Sequence, residues 1–355
     1  MRCLTLAEAL RAKGAQCYFI SRAHAGHLLE LIYQRDFAIT VLPVEPSPKS
    51  IDSQVASERS KDPAHAPWLG CDWQIDAEQT HAIMETLHPD WLVVDHYALD
   101  QRWEVALRPY CQKLMVIDDL ADRPHQCDML LDQNLGRQLQ DYSSLVPTKC
   151  KVLIGPQYAL LRPEFAGLRL YSLQRRQQPA FKKLLITMGG VDQNNATGQV
   201  LQALQSCNLP QACRIRVVMG PNAPWLQQVR AIAEGMPWQT EVLVNINNMA
   251  QTMADSDLAV GAAGSTSWER CCLGLPTLIV VLADNQRLSA QALKDANAAF
   301  LIGDMNDIYE KLPLAINASM IRYRLQQMIA ATNSISDGRG VDKVLSIMGV
   351  ANDQA

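Results

Sequence analysis

At 355 residues the chain is longer than one hydrophobic core usually fills, so two domains are expected. Hydrophobic residues at 48% and charged residues at 19% are the proportions of an ordinary globular protein, and a net charge of −4 offers no electrostatic footprint for nucleic acid or for an anionic membrane. No apolar run approaches the roughly 18 residues of a membrane span, and ten scattered cysteines without a Cys-x-x-Cys pair argue for reduced thiols in a cytoplasm, not for zinc or a disulfide frame.

The start carries an acid, Glu8, and no continuous apolar run, so it is not read as a signal peptide. Leu4, Leu6, Ala7 and Leu10 form an apolar face opposite Arg2, Glu8, Arg11 and Lys13, which predicts an opening amphipathic helix closed by Gly14. A strand at 16–20, a helix at 24–34 and a strand at 37–41 continue as α/β alternation. Such sheets are wound from an initial central strand, and none precedes the first helix. Residues 43–72, rich in proline, serine and charge, read as a long surface loop, and 75–87 as a helix. The strand at 91–94 ends on Asp95, His96 and Tyr97, placed to reach a cleft beyond the strand ends, unless Asp95 only caps the next helix and His96 only packs. The strand at 114–117 ends on Asp118 and Asp119, a pair that suits a metal or acid–base role but more commonly serves turns and caps. A further strand and turn cover 151–156. Residues 167–180 form the predicted linker, with Arg162 at its edge, facing the cleft or making an interdomain salt bridge. The basic pairs Arg175-Arg176 and Lys182-Lys183 read as solvated flanks.

In the second half, the strand at 182–188 runs into Gly189 and Gly190, where paired glycines and the following helix make a turn able to face phosphate. Strands at 215–219 and 242–244 alternate with helices near 225–233 and 249–254. The richest stretch is Gly261-Ala262-Ala263-Gly264-Ser265-Thr266-Ser267-Trp268-Glu269. It follows a buried-strand run and leads into a helix. Glycines admit a ligand to the backbone and the helix start offers N–H groups, so the turn is either an anion site or a tight strand-to-helix turn with no ligand. Glu269, one turn into the helix, is placed to accept from a ribose diol. The strand at 278–282 ends at Ala283-Asp284-Asn285-Gln286, where the Asn285 and Gln286 amides suit phosphate or sugar hydroxyls, or Asn285 is a plain cap; from 308 onward the chain reads as helical. Two βα arrays with glycine-rich turns facing a shared cleft suggest the double-Rossmann layout of sugar-nucleotide enzymes. The absence of Gly-x-Gly-x-x-Gly counts against a nicotinamide dehydrogenase.

Arg2-Cys3-Leu4-Thr5-Leu6-Ala7, Asp95-His96-Tyr97, Ile117-Asp118-Asp119-Leu120-Ala121-Asp122-Arg123 and Leu131-Asp132-Gln133-Asn134 form an ordered series of motifs. It continues through Gly155-Pro156-Gln157-Tyr158-Ala159-Leu160-Leu161-Arg162, Thr187-Met188-Gly189-Gly190-Val191-Asp192, Gly264-Ser265-Thr266-Ser267-Trp268-Glu269, Ala283-Asp284-Asn285-Gln286 and Asp337-Gly338-Arg339-Gly340. Their order and spacing resemble the UDP-2,4-diacetamido-2,4,6-trideoxy-β-L-altropyranose hydrolases of pseudaminic acid biosynthesis, over nearly the whole chain. Those are relatives of the undecaprenyl-linked muramyl-peptide GlcNAc transferases and share their α/β GT-B fold of two Rossmann-like, doubly wound parallel-sheet domains.

The resemblance implies hydrolysis of a UDP-linked diacetamido sugar by water, in the cytoplasm, with no metal or cofactor. It implies a first domain at 1–166, a UDP-binding domain at 181–335 and a C-terminal helix at 336–355. On the second domain, Gly264, Ser265 and Thr266 would meet phosphate, Glu269 the ribose, and Asn285 with Gln286 the diphosphate or sugar; Tyr97 and Arg162 would close on the substrate. The family's general-base histidine, within Gly-x-Gly-His-x-x-Arg-Cys, would fall two positions before Met1. No residue of the chain is therefore assigned as catalytic, which fits either a sequence that continues upstream or a shortened, weakly active protein. The alternatives are a UDP-GlcNAc-type GT-B glycosyltransferase, for which residues 1–110 lack a basic amphipathic lipid-facing segment, and an inactive UDP-sugar binder.

Overall fold

The fold is given by a computed structural model that describes residues 1–24, 26–44, 62–319 and 322–350. Much of the predicted loop at 43–72 lies outside the described residues. The chain divides into two compact units, one of Met1–Gln133, Arg137–Ile154 and Val344–Ala355, the other of Asn134–Gly136 and Gly155–Lys343.

In the first unit, helix α1 (Arg2–Ala12) is followed by β1 (Tyr18–Arg22), α2 (Leu29–Gln34) and β2 (Ala38–Leu42). Gly14, just past the end of α1, has φ +87°, the left-handed conformation that glycine adopts without a Cβ penalty. Then come α3 (Trp73–Leu87), β3 (Trp91–Val94), α4 (Gln101–Leu107), β4 (Lys113–Ile117), β5 (Met129–Asp132) and β6 (Lys151–Ile154). β1 and β2 pair in parallel as one small sheet, while β3-β4-β5-β6 form a separate parallel sheet. Among the described residues no strand joins β1 to β3, the place where a doubly wound sheet carries its central strand. Strand β5 was not anticipated. Its four residues are all buried, and so short an apolar run has no periodicity to read.

The second unit opens with α5 (Pro163–Arg175), which occupies most of the stretch expected to be a linker. Pro163 at the helix start, Glu164 in its first turn and Arg175 in its last are helix signals that the Gln/Arg-rich composition obscured. The chain changes unit at 154–155, upstream of the expected boundary. Nor are Arg175 and Arg176 solvated flanks. Arg175 pairs with Asp257, and Arg176, 4% exposed, donates to the carbonyl oxygens of Met253, Ala254 and Ser256 at 3.0, 3.1 and 2.7 Å. Burial, with Arg175 alongside, pulls the Arg176 guanidinium down to about 9.

The remaining elements are β7 (Lys183–Thr187), α6 (Ala196–Leu204), β8 (Arg214–Met219), α7 (Leu226–Glu234), β9 (Gln239–Val244), α8 (Met249–Ala254) and β10 (Leu258–Ala262). They are followed by α9 (Thr266–Cys272), β11 (Thr277–Val280), α10 (Arg287–Asp295), β12 (Ala299–Gly303), α11 (Ile308–Ser319), α12 (Arg322–Ile335) and α13 (Gly340–Met348). Six parallel strands lie in the order β12-β11-β10-β7-β8-β9. β10 and β11 are buried along their whole length, as strands covered by helices on both faces must be. The two apolar layers are separate: Leu184, Ile186, Val200, Val217 and Val260 belong to one, Leu185, Met253, Ala259, Trp268 and Ile279 to the other. The chain is thus α/β, with Rossmann-like parallel sheets.

Candidate functional site

The strand order of the second unit points to a candidate site. From β7 the chain winds outward to β8 and β9, then returns to place β10 on the other side of β7. Ligands of open parallel sheets bind beyond the strand carboxyl ends at such a reversal, because the loops there diverge and leave a crevice. The two loops that flank it follow β7 and β10, and these carry Gly189-Gly190 and Gly264-Ser265-Thr266. Thr187 and Gly261 are register neighbours on the paired strands, so the two glycine turns arise side by side.

The β10 turn has a cation behind it. A Cβ at Gly261 would collide with the Arg270 guanidinium and approach the Thr187 carbonyl oxygen to 2.9 Å, so only glycine lets the arginine lie there. Arg270 is 1% exposed and donates through Nη2 to the Ala262 carbonyl at 2.6 Å and to Ser267 Oγ at 2.9 Å. Among the described residues it makes no ion pair with a carboxylate. Burial lowers its pKa to about 10, with Cys271 and Glu269 opposing, so it remains a cation at neutral pH.

Glu269 is half-buried beside it. Burial pushes its carboxyl up to about 7; Arg162 and Arg270 pull downward and Glu164 adds to the rise. Arg162 pairs with Glu164 at 3.0 Å, a salt bridge inside this unit, and its guanidinium lies 5.3 Å from the Phe165 ring centre. Gln286 completes the turn. Its Oε1 accepts from the Leu282 N–H at 3.1 Å, which leaves the amide NH2 directed at Gly264, 4.0 Å from where a Cβ would stand. Ser265 and Asn285 are exposed, and Thr266 is half-buried. Asn285 does not cap α10; Gln286 occupies that cap position, without a side-chain cap bond.

The turn after β7 is different. Gly189 (φ +93°) and Gly190 are exposed, but the first donors of α6 are already taken: Asp192 accepts from Ala196 N and Thr197 N, each at 2.9 Å, and Asn195 from Gly198 N at 3.0 Å. These glycines therefore offer room and bare backbone, not a free helix end.

In the first unit, the ends of β3 and β4 carry a charged cluster. Arg2 grips Asp95 with two bonds, Nε to Oδ2 at 3.0 Å and Nη2 to Oδ1 at 2.7 Å, and reaches Asp119 at 2.7 Å. The Tyr97 hydroxyl donates to Asp119 at 2.7 Å. Burial, then Asp119, raises the Tyr97 pKa, so it stays a donor. Burial opposes ionisation of Asp95, but Arg2 outweighs it and holds the carboxyl below its usual range. Asp95 does not cap α4; Asp100 does, accepting from Arg102 N at 2.9 Å. His96 packs, with Nδ1 accepting from Ala98 N at 3.1 Å and burial lowering its pKa. The adjacent carboxylates diverge: Asp118 turns inward to Ala121 N at 2.8 Å, the Tyr142 hydroxyl at 2.9 Å and Arg123 at 2.9 Å. That is the turn-and-cap role.

Of the residues singled out from sequence, Arg162, Gly189, Gly190, Gly264, Ser265, Thr266, Glu269, Asn285 and Gln286 fall in the second unit and Tyr97 in the first. Sequence reasoning missed Arg270 and the bridging Arg2. The one available signal for Arg270 was a charged residue within Trp268–Leu273, a run otherwise apolar after Glu269.

Residues 183–339 match the family model "Glycosyltransferase family 28 C-terminal domain", which covers the six-stranded sheet and its helices. The chain is 28% identical over 200 residues to the UDP-2,4-diacetamido-2,4,6-trideoxy-beta-L-altropyranose hydrolase of Campylobacter jejuni, 56% of this chain and 69% of that protein. It is 26% identical over 208 residues to an uncharacterised protein of Methanocaldococcus jannaschii, a match that spans 58% of this chain but only 43% of the archaeal protein. The crystal structure of MurG from Acinetobacter baumannii superposes with a TM-score of 0.70 at 16% identity, over 99% of this chain and 95% of that one. The fold is therefore GT-B, and the second unit is similar to the C-terminal domain of glycosyltransferase family 28.

Proposed function

We propose that the protein hydrolyses a UDP-linked 2,4-diacetamido-2,4,6-trideoxy hexose, releasing UDP and the free sugar. The observation that carries this reading is Arg270, a buried cation without a carboxylate ion pair among the described residues, set behind a glycine turn toward which the Gln286 amide is directed. A buried charge is costly unless countered, and the diphosphate of a nucleotide sugar supplies the countercharge. Backbone and hydroxyl groups of Gly264, Ser265 and Thr266 then join Gln286 around the phosphates. Glu269 accepts from the ribose diol, Asn285 serves the diphosphate or sugar, and Arg162 adds positive charge nearby. Gly189 and Gly190 leave the phosphates room.

Chemically, these groups hold the leaving group. Charge that develops on departing UDP is met by donors already in place, which lowers the barrier to cleavage of the anomeric bond. No residue between 1 and 355 is assigned the task of deprotonating water. Hydrolysis, as against simple binding, is supported by the motif series and by similarity to the altropyranose hydrolase.

The test is a proton NMR time course with the UDP-linked diacetamido sugar and water as the sole acceptor. Free UDP and reducing sugar should accumulate together, and Arg270→Met should abolish their release. Nucleotide binding without sugar release would refute hydrolysis. The family 28 match favours a second reading, sugar transfer, in which UDP appears only after a lipid-linked saccharide acceptor is added.

A further inference from the structure

The first unit carries a feature that the nucleotide reading does not use. A short 3-10 turn, Ala66–Leu69, presents Trp68 with 57% of its surface exposed. An indole so exposed leaves more than half of its surface in water, and it does not stand alone. The His65 ring lies 4.5 Å from Trp68 and 5.7 Å from Tyr97, and Trp68 and Tyr97 are 6.0 Å apart, with mutual tilts of 36°, 44° and 51°. These rings come from two separate segments, the 3-10 turn and the residues just beyond β3. Tyr97 belongs to two groupings at once: its ring joins the aromatic set, and its hydroxyl joins Asp119, which Arg2 links to Asp95.

We propose that Trp68, supported by His65 and Tyr97, is a stacking platform for a hexopyranose ring whose polar substituents are bound by Asp95, Asp119 and Arg2. The chemistry of the two halves matches that class of ligand. A pyranose has one face of C–H groups, weakly positive, which packs on the negative face of an aromatic ring. Its rim carries hydroxyl and acetamido groups, which donate to carboxylates and accept from a guanidinium. The Arg2, Asp95 and Asp119 side chains are 18%, 26% and 15% exposed, so each retains surface open to a ligand while its mutual bonds hold it in place. An apolar surface with a few converging polar groups is the usual make-up of a small-molecule site. The platform stands independently of the nucleotide site and takes from the proposed function only the choice of an acetamido sugar as probe.

The experiment uses the full chain and saturation-transfer NMR with the methyl β-glycoside of N-acetylglucosamine, in parallel with free UDP. Wild-type protein should saturate the ring protons of one pyranose face. Trp68→Ala should weaken glycoside binding about tenfold, and Trp68→Phe, which keeps an aromatic face, should restore it to within about threefold. UDP binding should be the same in all three proteins. The exposed position of Trp68 makes the variants tolerable to the fold, which an unchanged thermal midpoint would verify. Failure of wild type to bind the glycoside, or unchanged binding by Trp68→Ala, overturns the platform. Failure to bind UDP while the glycoside response follows Trp68 overturns the nucleotide reading alone.

Discussion

Glu269 provides the sharpest test of the nucleotide site. Its carboxyl is pushed up to about 7, chiefly by burial, so near neutral pH it is protonated in about half the molecules. If only the carboxylate accepts from the ribose diol, the apparent dissociation constant scales inversely with the ionised fraction. Moving from pH 8 to pH 6 takes the ionised fraction from about nine-tenths to about one-tenth, so affinity should fall about tenfold, or about 1.4 kcal/mol. The sign is fixed by the direction of the shift. In the folded, unliganded state the proton is held to a higher pH than in the unfolded chain. Between the usual glutamate range and about 7, rising pH therefore lowers stability, and a ligand that prefers the ionised form gains affinity over the same interval. Isothermal titration calorimetry with UDP-N-acetylglucosamine is the assay, since its diphosphate diester does not titrate in this window. Glu269→Gln should bind more weakly at pH 8 and lose the slope. A flat profile for wild type, or an unchanged slope in Glu269→Gln, would refute the ribose assignment.

The other predictions concern groups whose environments are equally specific. Arg270→Met removes a buried cation from an apolar setting; the thermal midpoint should hold or rise while UDP affinity falls at least about tenfold, and a fall in both would mean the arginine is chiefly structural. Gly261→Ala inserts a methyl group against Arg270 and the Thr187 carbonyl, with an expected loss of about 1–3 kcal/mol in urea unfolding; a neutral result would show that the close approach is relieved at no cost. Tyr142→Phe deletes the hydroxyl that bonds both Asp118 and Asp132 at 2.9 Å, all three residues being fully buried. It should cost about 1–3 kcal/mol. Asp118 titrates below its usual range because Arg123 outweighs the effect of burial, so stability should also decline as pH falls through the carboxylate range; acid unfolding that ignores this substitution would count against the network.

The reading at 167–180 shows where local composition misleads. Gln-Arg-rich sequence there suggests solvent, yet Ser172 and Arg176 are buried because α5 packs on the second sheet's helices, with Arg176 bonded to the carbonyl oxygens that end α8. Strand β5 shows the converse: its apolar character was visible but too short to assign. By contrast β3, β4, β7 and β8 lie within about two residues of their expected positions, because a buried parallel strand is a dense apolar run bounded by turn residues.

What the sequence by itself determined is the α/β alternation, the glycine-rich turns after β7 and β10, the place of Glu269 in the first turn of α9 and that of Asn285 and Gln286 beyond β11, since local spacing sets each of these. Which turns become neighbours was decided only by the tertiary structure. Strand order is a long-range choice, and the return of the chain to place β10 beside β7 is what sets the two glycine turns together. The same holds for charge. Arg270 reads as one more polar residue on a helix until the sheet beneath it removes its solvent, and Gly261 is what allows it to lie there. Burial, which no single segment of sequence contains, converts Glu269 from an ordinary acid into one that titrates near neutrality.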